Sequence, residues 1–480
     1  MNDRKGFGSN FGFLMAAVGS AVGLGNIWGF PNKMGANGGF PFLILYLALA
    51  LCCGVIIMLG ELALGRKTGH GAVGAYQSIS KRFKWLGWLG IAAAALIFSF
   101  YSALGGYCLR YVVVNFGNLI GAEFGTNGVG GADVFQGLLS QPDVSIAFAL
   151  AFMFITMLVV MSGVGGGIER VCSVGMPALF FILIICIIRS CTLPGAADGL
   201  KYMFVPGWAV ANGIIDEAPG FWRVLTAAGG QMFFSLSLGA GVMITYGSYL
   251  DKKQDLGKST MIIVGMDTVV ALMAGLCVIP GRFALDPNGA LGGPELLFIT
   301  MQNVFDKMGP AGPVFGILFY LPVFFAAISS SISMLEVIVA HFCDKAREKG
   351  KGDRRKLYSA IAVVICAALC ALVCADGMGS NHISPAELLG LAGAKLPGWS
   401  TSWLGLFDSV AEGLLMPLGA LLMCLMISWE LKPDALRQEI LLNGENRPWV
   451  YDFFRLCVKY ITPLCMLMIL YGQISDFFIV

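Results

Sequence analysis

Charge is what this chain has least of. Lysine and arginine number 31 and aspartate and glutamate 29 in 480 residues, 12% in all, while 57% are hydrophobic. Soluble domains carry roughly 25% charged residues, so this composition cannot coat a water-exposed globule, and a mean hydropathy of +0.78 points into lipid. A net charge of only +2 leaves no basic footprint for nucleic acid. Histidine is nearly missing: His70, His341 and His382 are scattered, with no nucleophile–base pair or metal-ligand spacing around them, which argues against a membrane-embedded enzyme. The 14 cysteines lie almost wholly in apolar runs such as Cys366, Cys370 and Cys374, where a thiol acts as a small hydrophobe. No CxxC pair suggests zinc, and the segment 121–144 has no cysteine, so no disulfide framework is implied. Repeated pore rings or a filter are not evident either, which disfavours an ion channel.

Long apolar runs are abundant. A hydrocarbon core about 30 Å thick takes roughly 20 such residues per helix. Eleven spans are expected, at 12–35, 40–65, 88–117, 145–163, 173–191, 224–249, 258–280, 313–342, 357–375, 405–429 and 452–473, giving an all-α integral membrane protein. A short polar stretch with Arg4 and Lys5 precedes the first run without a cleavage site, so that span is expected to be retained. Positive charge gathers at Arg66, Lys67, Lys81, Arg82, Lys84, Arg170, Lys252, Lys253, Lys258 and between Lys345 and Lys356. The positive-inside rule then puts the N-terminus in the cytoplasm, and an odd span count puts Val480 outside.

Spans 1–5 and 6–10 form two groups of five, which must enter the membrane from opposite sides. The expected units are 1–191, 192–430 with its external loops, and 431–480 with the eleventh span. Each group opens on a span interrupted by glycines: Gly19, Gly23 and Gly25 in the first, Gly239 and Gly241 in the sixth. Paired interruptions at matching positions point to a midplane binding site. The external segments 192–222 and 281–312, with helical stretches such as Glu295 to Phe305, either cap an outer vestibule or are ordinary ordered loops.

The segment Gly19-Ser-Ala-Val-Gly-Leu-Gly-Asn26 makes a poor helix centre. Unwinding there frees carbonyls for a cation and leaves a helix N-terminus for a carboxylate. Polar residues recur at Gln231, Ser235 and Ser237 in the sixth span and at Ser329, Ser330, Ser331 and Ser333 in the eighth. Asp267 sits mid-span, where an unpaired carboxylate costs several kcal/mol, so a cation or proton is its expected partner. Glu61 and Glu336 are further intramembrane acids nearer the span ends.

Gly-Ser-Ala-Val-Gly-Leu-Gly-Asn-Ile-Trp at 19–28, Phe-Tyr at 100–101, Gln-Met-Phe-Phe-Ser-Leu-Ser-Leu-Gly at 231–239 and Ala-Ala-Ile-Ser-Ser-Ser at 326–331 resemble the neurotransmitter:sodium symporter family, in its bacterial, LeuT-type form. The resemblance implies a sodium-coupled symporter of an amino acid working by alternating access in a bacterial inner membrane. It implies one sodium at Ala21, Asn26, Ser235 and Asp267 with the substrate carboxylate, and a second at Gly19, Val22, Ala326, Ser329 and Ser330. Many relatives have asparagine at Asp267 and bind chloride nearby. Here the carboxylate supplies that charge, and Ala271 stands where chloride-dependent relatives carry serine, so no chloride is expected. Substrate would meet Leu24, Gly25 and Tyr101 through its carboxylate and Ala21, Phe234 and Ser237 through its amine. Its side chain would lie among Ile97, Phe234, Ala240, Ser330 and Met334. Glycine at position 23, where monoamine carriers have aspartate, favours an α-amino acid, and the small Ala240 suggests a bulky apolar or aromatic one. Arg4 and Asp344 match the inner ion-pair gate, beside Phe7 and Tyr249. At the outer gate Gly29 replaces the usual arginine, so either Lys33 reaches Asp408 instead or Asp408 stays free.

Overall fold

In lipid every backbone N–H and C=O must find a partner inside the protein, which for a chain this apolar leaves the helix as the available element. The computed structural model describes all residues except 1–5, 127, 292, 353, 392–395, 432, 442–447 and 479–480. Arg4 therefore lies outside the described residues. Among them, nine helices are long and apolar enough to cross a membrane: α2 (Phe40–Thr68), α3 (Lys81–Ile120), α4 (Pro142–Met161), α5 (Val164–Cys191), α7 (Leu256–Leu285), α8 (Gly309–Glu348), α9 (Arg355–Gly379), α10 (Trp403–Leu431) and α11 (Trp449–Ser475). A tenth span is a pair, α1a (Asn10–Ala21) and α1b (Gly25–Ala36), bent by 45°. The expected sixth span is also divided, into α6a (Phe221–Leu236) and α6b (Val242–Gly247), neither long enough to cross alone.

Local chemistry sets these ends. Ser9 caps α1a, its hydroxyl accepting the Gly12 N–H at 2.9 Å, and Asp255 caps α7 through the Lys258 N–H at 3.0 Å. The break in α6 is made by three alternate left-handed positions, Ser237 (φ 53°), Gly239 (φ 79°) and Gly241 (φ 75°), of which only the glycines adopt that conformation without cost. The buried Glu61 of α2 fills the gap, accepting the Gly239 N–H at 2.7 Å and further N–H groups of Met243 and Ile244, so a carboxylate sits on the N-terminus of α6b. The fifth span begins earlier than expected, in a wide turn Val164–Ile168 entered through Gly163 (φ 81°).

The two long helices α3 and α8 pack along one another at the centre, with α4, α5 and α9 around them, and α1a lies against α5, α7 and α8. The outer faces of α5 and α9 are apolar: Val174 and Phe181 are 71% exposed and Val364 is 70% exposed, a surface suited to acyl chains. The segments between spans are partly helical, including Ala196–Phe204 against α7 and Met301–Asp306. Between α10 and α11, Glu439 takes Arg66 at 2.8 Å and Lys252 at 2.6 Å. Burial pushes the Glu439 carboxyl up, but these two cations outweigh it and hold the group below its usual range.

Candidate functional site

The site grows from a redirected backbone. In an unbroken helix the N–H groups of Gly23 and Leu24 return to the carbonyls of Gly19 and Ser20. Here Gly23 donates to Asn26 Oδ1 at 3.0 Å and Leu24 to the Tyr101 hydroxyl at 2.8 Å, while the Asn26 N–H turns to the Gly23 carbonyl at 3.2 Å. The carbonyls of Gly19, Ser20 and Val22 are thereby released. They converge on Ser330 Oγ at 3.4, 3.1 and 3.4 Å. Ser329 Oγ stands 3.4 Å from the Val22 carbonyl and 2.9 Å from that of Ala326. Lone pairs outnumber hydroxyl hydrogens in this cluster, which is the make-up of a hard-cation shell. The residues expected at the second sodium thus lie together, and Ser20 joins them.

A second oxygen cluster surrounds the fully buried Asp267. The Asn26 amide donates to its Oδ1 at 2.7 Å and to its backbone carbonyl at 2.9 Å. Ser235 Oγ reaches both carboxylate oxygens, at 3.0 and 2.9 Å, and the Tyr46 hydroxyl donates to Oδ2 at 3.2 Å. The structure brings Asn26, Ser235 and Asp267 together, with Ala21 the last residue of α1a. Tyr46 was not foreseen: it lies in an apolar run of α2 with no local motif to mark it. Gln231 ties the two broken helices, donating to the Gly25 carbonyl at 2.6 Å.

All ten expected substrate residues are buried. Tyr101 and Phe234 meet edge to face with ring centroids 6.2 Å apart. Gly23 is pressed between the Ser330 and Tyr101 hydroxyls, so that a Cβ there would overlap both. Ile97 and Met334 lie four residues from Tyr101 and Ser330 respectively, one turn along the same faces of α3 and α8. Ser237 Oγ donates to the Ser20 carbonyl at 3.1 Å. The Ala240 carbonyl abuts Gly90 on α3, about two turns from Ile97.

At the end carrying the N-terminal segment, Phe7 packs edge-on to Tyr249 at 6.2 Å and to Tyr246 at 5.8 Å. Asp344 accepts the Gly71 N–H at 3.1 Å. The Tyr249 hydroxyl donates to Glu336 Oε1 at 2.6 Å, and Arg355 embraces the same buried carboxylate at 2.5 and 3.0 Å. At the opposite end the pairing of Lys33 with Asp408 is corrected: Lys33 forms its ion pair with Glu412. Asp408 lies one turn earlier on the same face of α10, so the lysine meets the farther member of an i,i+4 acid pair. These groups line a cavity of about 290 Å³ with Asn37, Arg223 and Gln473.

Two interrupted helices that turn carbonyls and buried acids toward one another, inside a helical membrane bundle, define a secondary transporter of the broken-helix kind. The chain belongs to the sodium:neurotransmitter symporter family, whose profile matches residues 4–127 and 133–478. It is 36% identical over 477 residues to the uncharacterized sodium-dependent transporter YhdH of Bacillus subtilis, covering 97% of each chain. It is 30% identical over 459 residues to an uncharacterized sodium-dependent transporter of Methanocaldococcus jannaschii, covering 91% of this chain and 84% of the relative. The crystal structure of MhsT in complex with L-phenylalanine superposes with a TM-score of 0.83 at 34% identity, over 98% of this chain and 100% of that one. The chain is thus a sodium-dependent membrane transporter, not an enzyme.

Proposed function

We propose that this transporter is a symporter that uses two sodium ions to carry one large apolar or aromatic α-amino acid, by alternating access and without chloride. One observation carries the reading. Every hydrogen-bond partner of the buried Asp267 carboxylate is a neutral donor, and no lysine or arginine pairs with it among the described residues. A buried carboxylate without a counter-ion is expensive, and a sodium ion beside Asn26 and Ser235 supplies the charge. The same carboxylate removes the need for chloride. The Ser329–Ser330 cluster supplies the second cation position.

The amino-acid substrate fits the gap between α1 and α6. Its carboxylate approaches the Leu24 and Gly25 amides and Tyr101, its amine the oxygens around Ala21, Phe234 and Ser237, and its side chain Ile97, Ala240 and Met334. L-Phenylalanine in the complex with MhsT supports an aromatic substrate here. We place the chain in a bacterial inner membrane with a cytoplasmic N-terminus and an external C-terminus, its units 1–191 and 192–430 forming an inverted repeat that rocks about the site. Uptake into proteoliposomes with an inward sodium gradient, across a panel of amino acids, tests this. Preference for phenylalanine, tryptophan or leucine, undiminished when gluconate replaces chloride, is expected; preference for glycine or alanine would overturn the substrate class.

A further inference from the structure

We propose that Glu169 is a positioning residue that latches α1a in place, so that its release controls opening of the site toward the N-terminal end. The proposal rests on the alternating-access reading above. It begins in the glycine-rich start of α5, where Gly163, Gly165, Gly166 and Gly167 lead through a wide turn to Glu169. Glu169 Oε2 accepts the Gly8 N–H at 2.7 Å and Oε1 accepts the Ser9 hydroxyl at 2.9 Å. Ser9 Oγ in turn accepts the Gly12 N–H at 2.9 Å. A carboxylate of α5 therefore terminates the relay that satisfies the first turn of α1a, where helix N–H groups have no partner of their own and negative charge is favoured.

Gly12 makes the contact possible, because a Cβ there would overlap the Glu169 carboxylate. Seven residues on, about two turns along the same face, a Cβ on Gly19 would stand 3.1 Å from Cys172 Sγ of α5 and 3.2 Å from Ser329 Cβ. One face of α1a thus holds Glu169 at its start and the Ser329–Ser330 oxygen cluster at its end. Swinging the first turn away from Glu169 withdraws the Gly19 and Val22 carbonyls from the serines.

The test uses the full chain in lipid nanodiscs, with hydrogen–deuterium exchange over residues 9–22 and sodium-dependent amino-acid binding. Glu169→Ala in sodium is expected to speed exchange over 9–22 and to raise the half-saturating sodium concentration, each by about tenfold, the scale of losing hydrogen bonds to a charged group. Exchange across α3 stays as in the wild type, and Glu169→Asp restores part of both effects. Gly12→Ala reproduces the loss alone but adds less than about twofold in a Glu169→Ala background, because both changes act on one contact. Sodium protection of 9–22 that Glu169→Ala leaves unaltered, or a Gly12→Ala effect equal in both backgrounds, would overturn the latch alone. A wild-type chain without sodium-dependent protection or binding would overturn the transport reading and the latch with it.

Discussion

The Asn26 side-chain amide bonds both Oδ1 and the backbone carbonyl of Asp267, at 2.7 and 2.9 Å, fixing the break in α1 to the middle of α7. Asp267→Asn keeps the shape but removes the charge and sets one amide against another. The sodium concentration for half-maximal binding of amino acid is expected to rise about tenfold or more, on the scale of hydrogen bonds to charged groups. An unchanged sodium dependence would remove Asp267 from the cation site.

Ser329→Ala and Ser330→Ala address the other cluster. Each takes a hydroxyl from a ring of carbonyls that Gly19, Ser20, Val22 and Ala326 provide. The steepness of sodium activation of uptake should fall from a Hill slope near about two toward about one, since only coupled sites give a slope above one. A steep curve that survives both substitutions would reject a second sodium there.

The Lys33–Glu412 ion pair gives a third test. Removing Lys33 takes away the cation that pairs with Glu412 while Asp408 stays one turn away, and two neighbouring carboxylates cannot both stay ionised cheaply. Lys33→Ala and Glu412→Gln should each slow sodium-driven uptake several-fold, by about 1 kcal/mol, and the double variant should be little worse than either. Wild-type rates in both single variants would mean that the pair is not a gate.

The proposed side-chain pocket would select by volume. Ala240→Trp adds bulk where the loop between α6a and α6b abuts Gly90 of α3, and overpacking of a closed site costs about 1–3 kcal/mol, or roughly tenfold to a hundredfold in affinity for a bulky ligand. Competition assays should show aromatic amino acids losing ground to alanine. An unaltered ranking would place the side-chain pocket elsewhere.

The interruptions of α1 and α6 were legible because glycine clusters inside apolar runs have few other uses, and Asp267 was legible because charge in such a run needs a reason. Other features were not. Ser237 takes a left-handed conformation ordinarily left to glycine, which its sequence does not reveal. Tyr46, Glu412 and Glu169 act across helices, and their partners are 221, 379 and 161 residues away. Spacing along one helix carries no trace of such contacts. The sequence left Lys33 either reaching Asp408 or leaving it free and did not single out Glu412, because Asp408 and Glu412 share a face of α10 and only packing selects between them. The early start of α5 was missed because a run of glycines reads as a loop, whereas here it continues as a wide helical turn.

The Ser20 carbonyl accepts a hydroxyl from Ser237 and another from Ser330, each at 3.1 Å. A single oxygen on the first broken helix is thus a common anchor for the loop proposed to lie beneath the substrate amine and for the oxygen cluster on α8 proposed to hold a cation. Ligand and ion need not touch to feel each other through it. Thermodynamic reciprocity then demands that whatever factor sodium adds to the affinity for amino acid, the amino acid adds to the affinity for sodium.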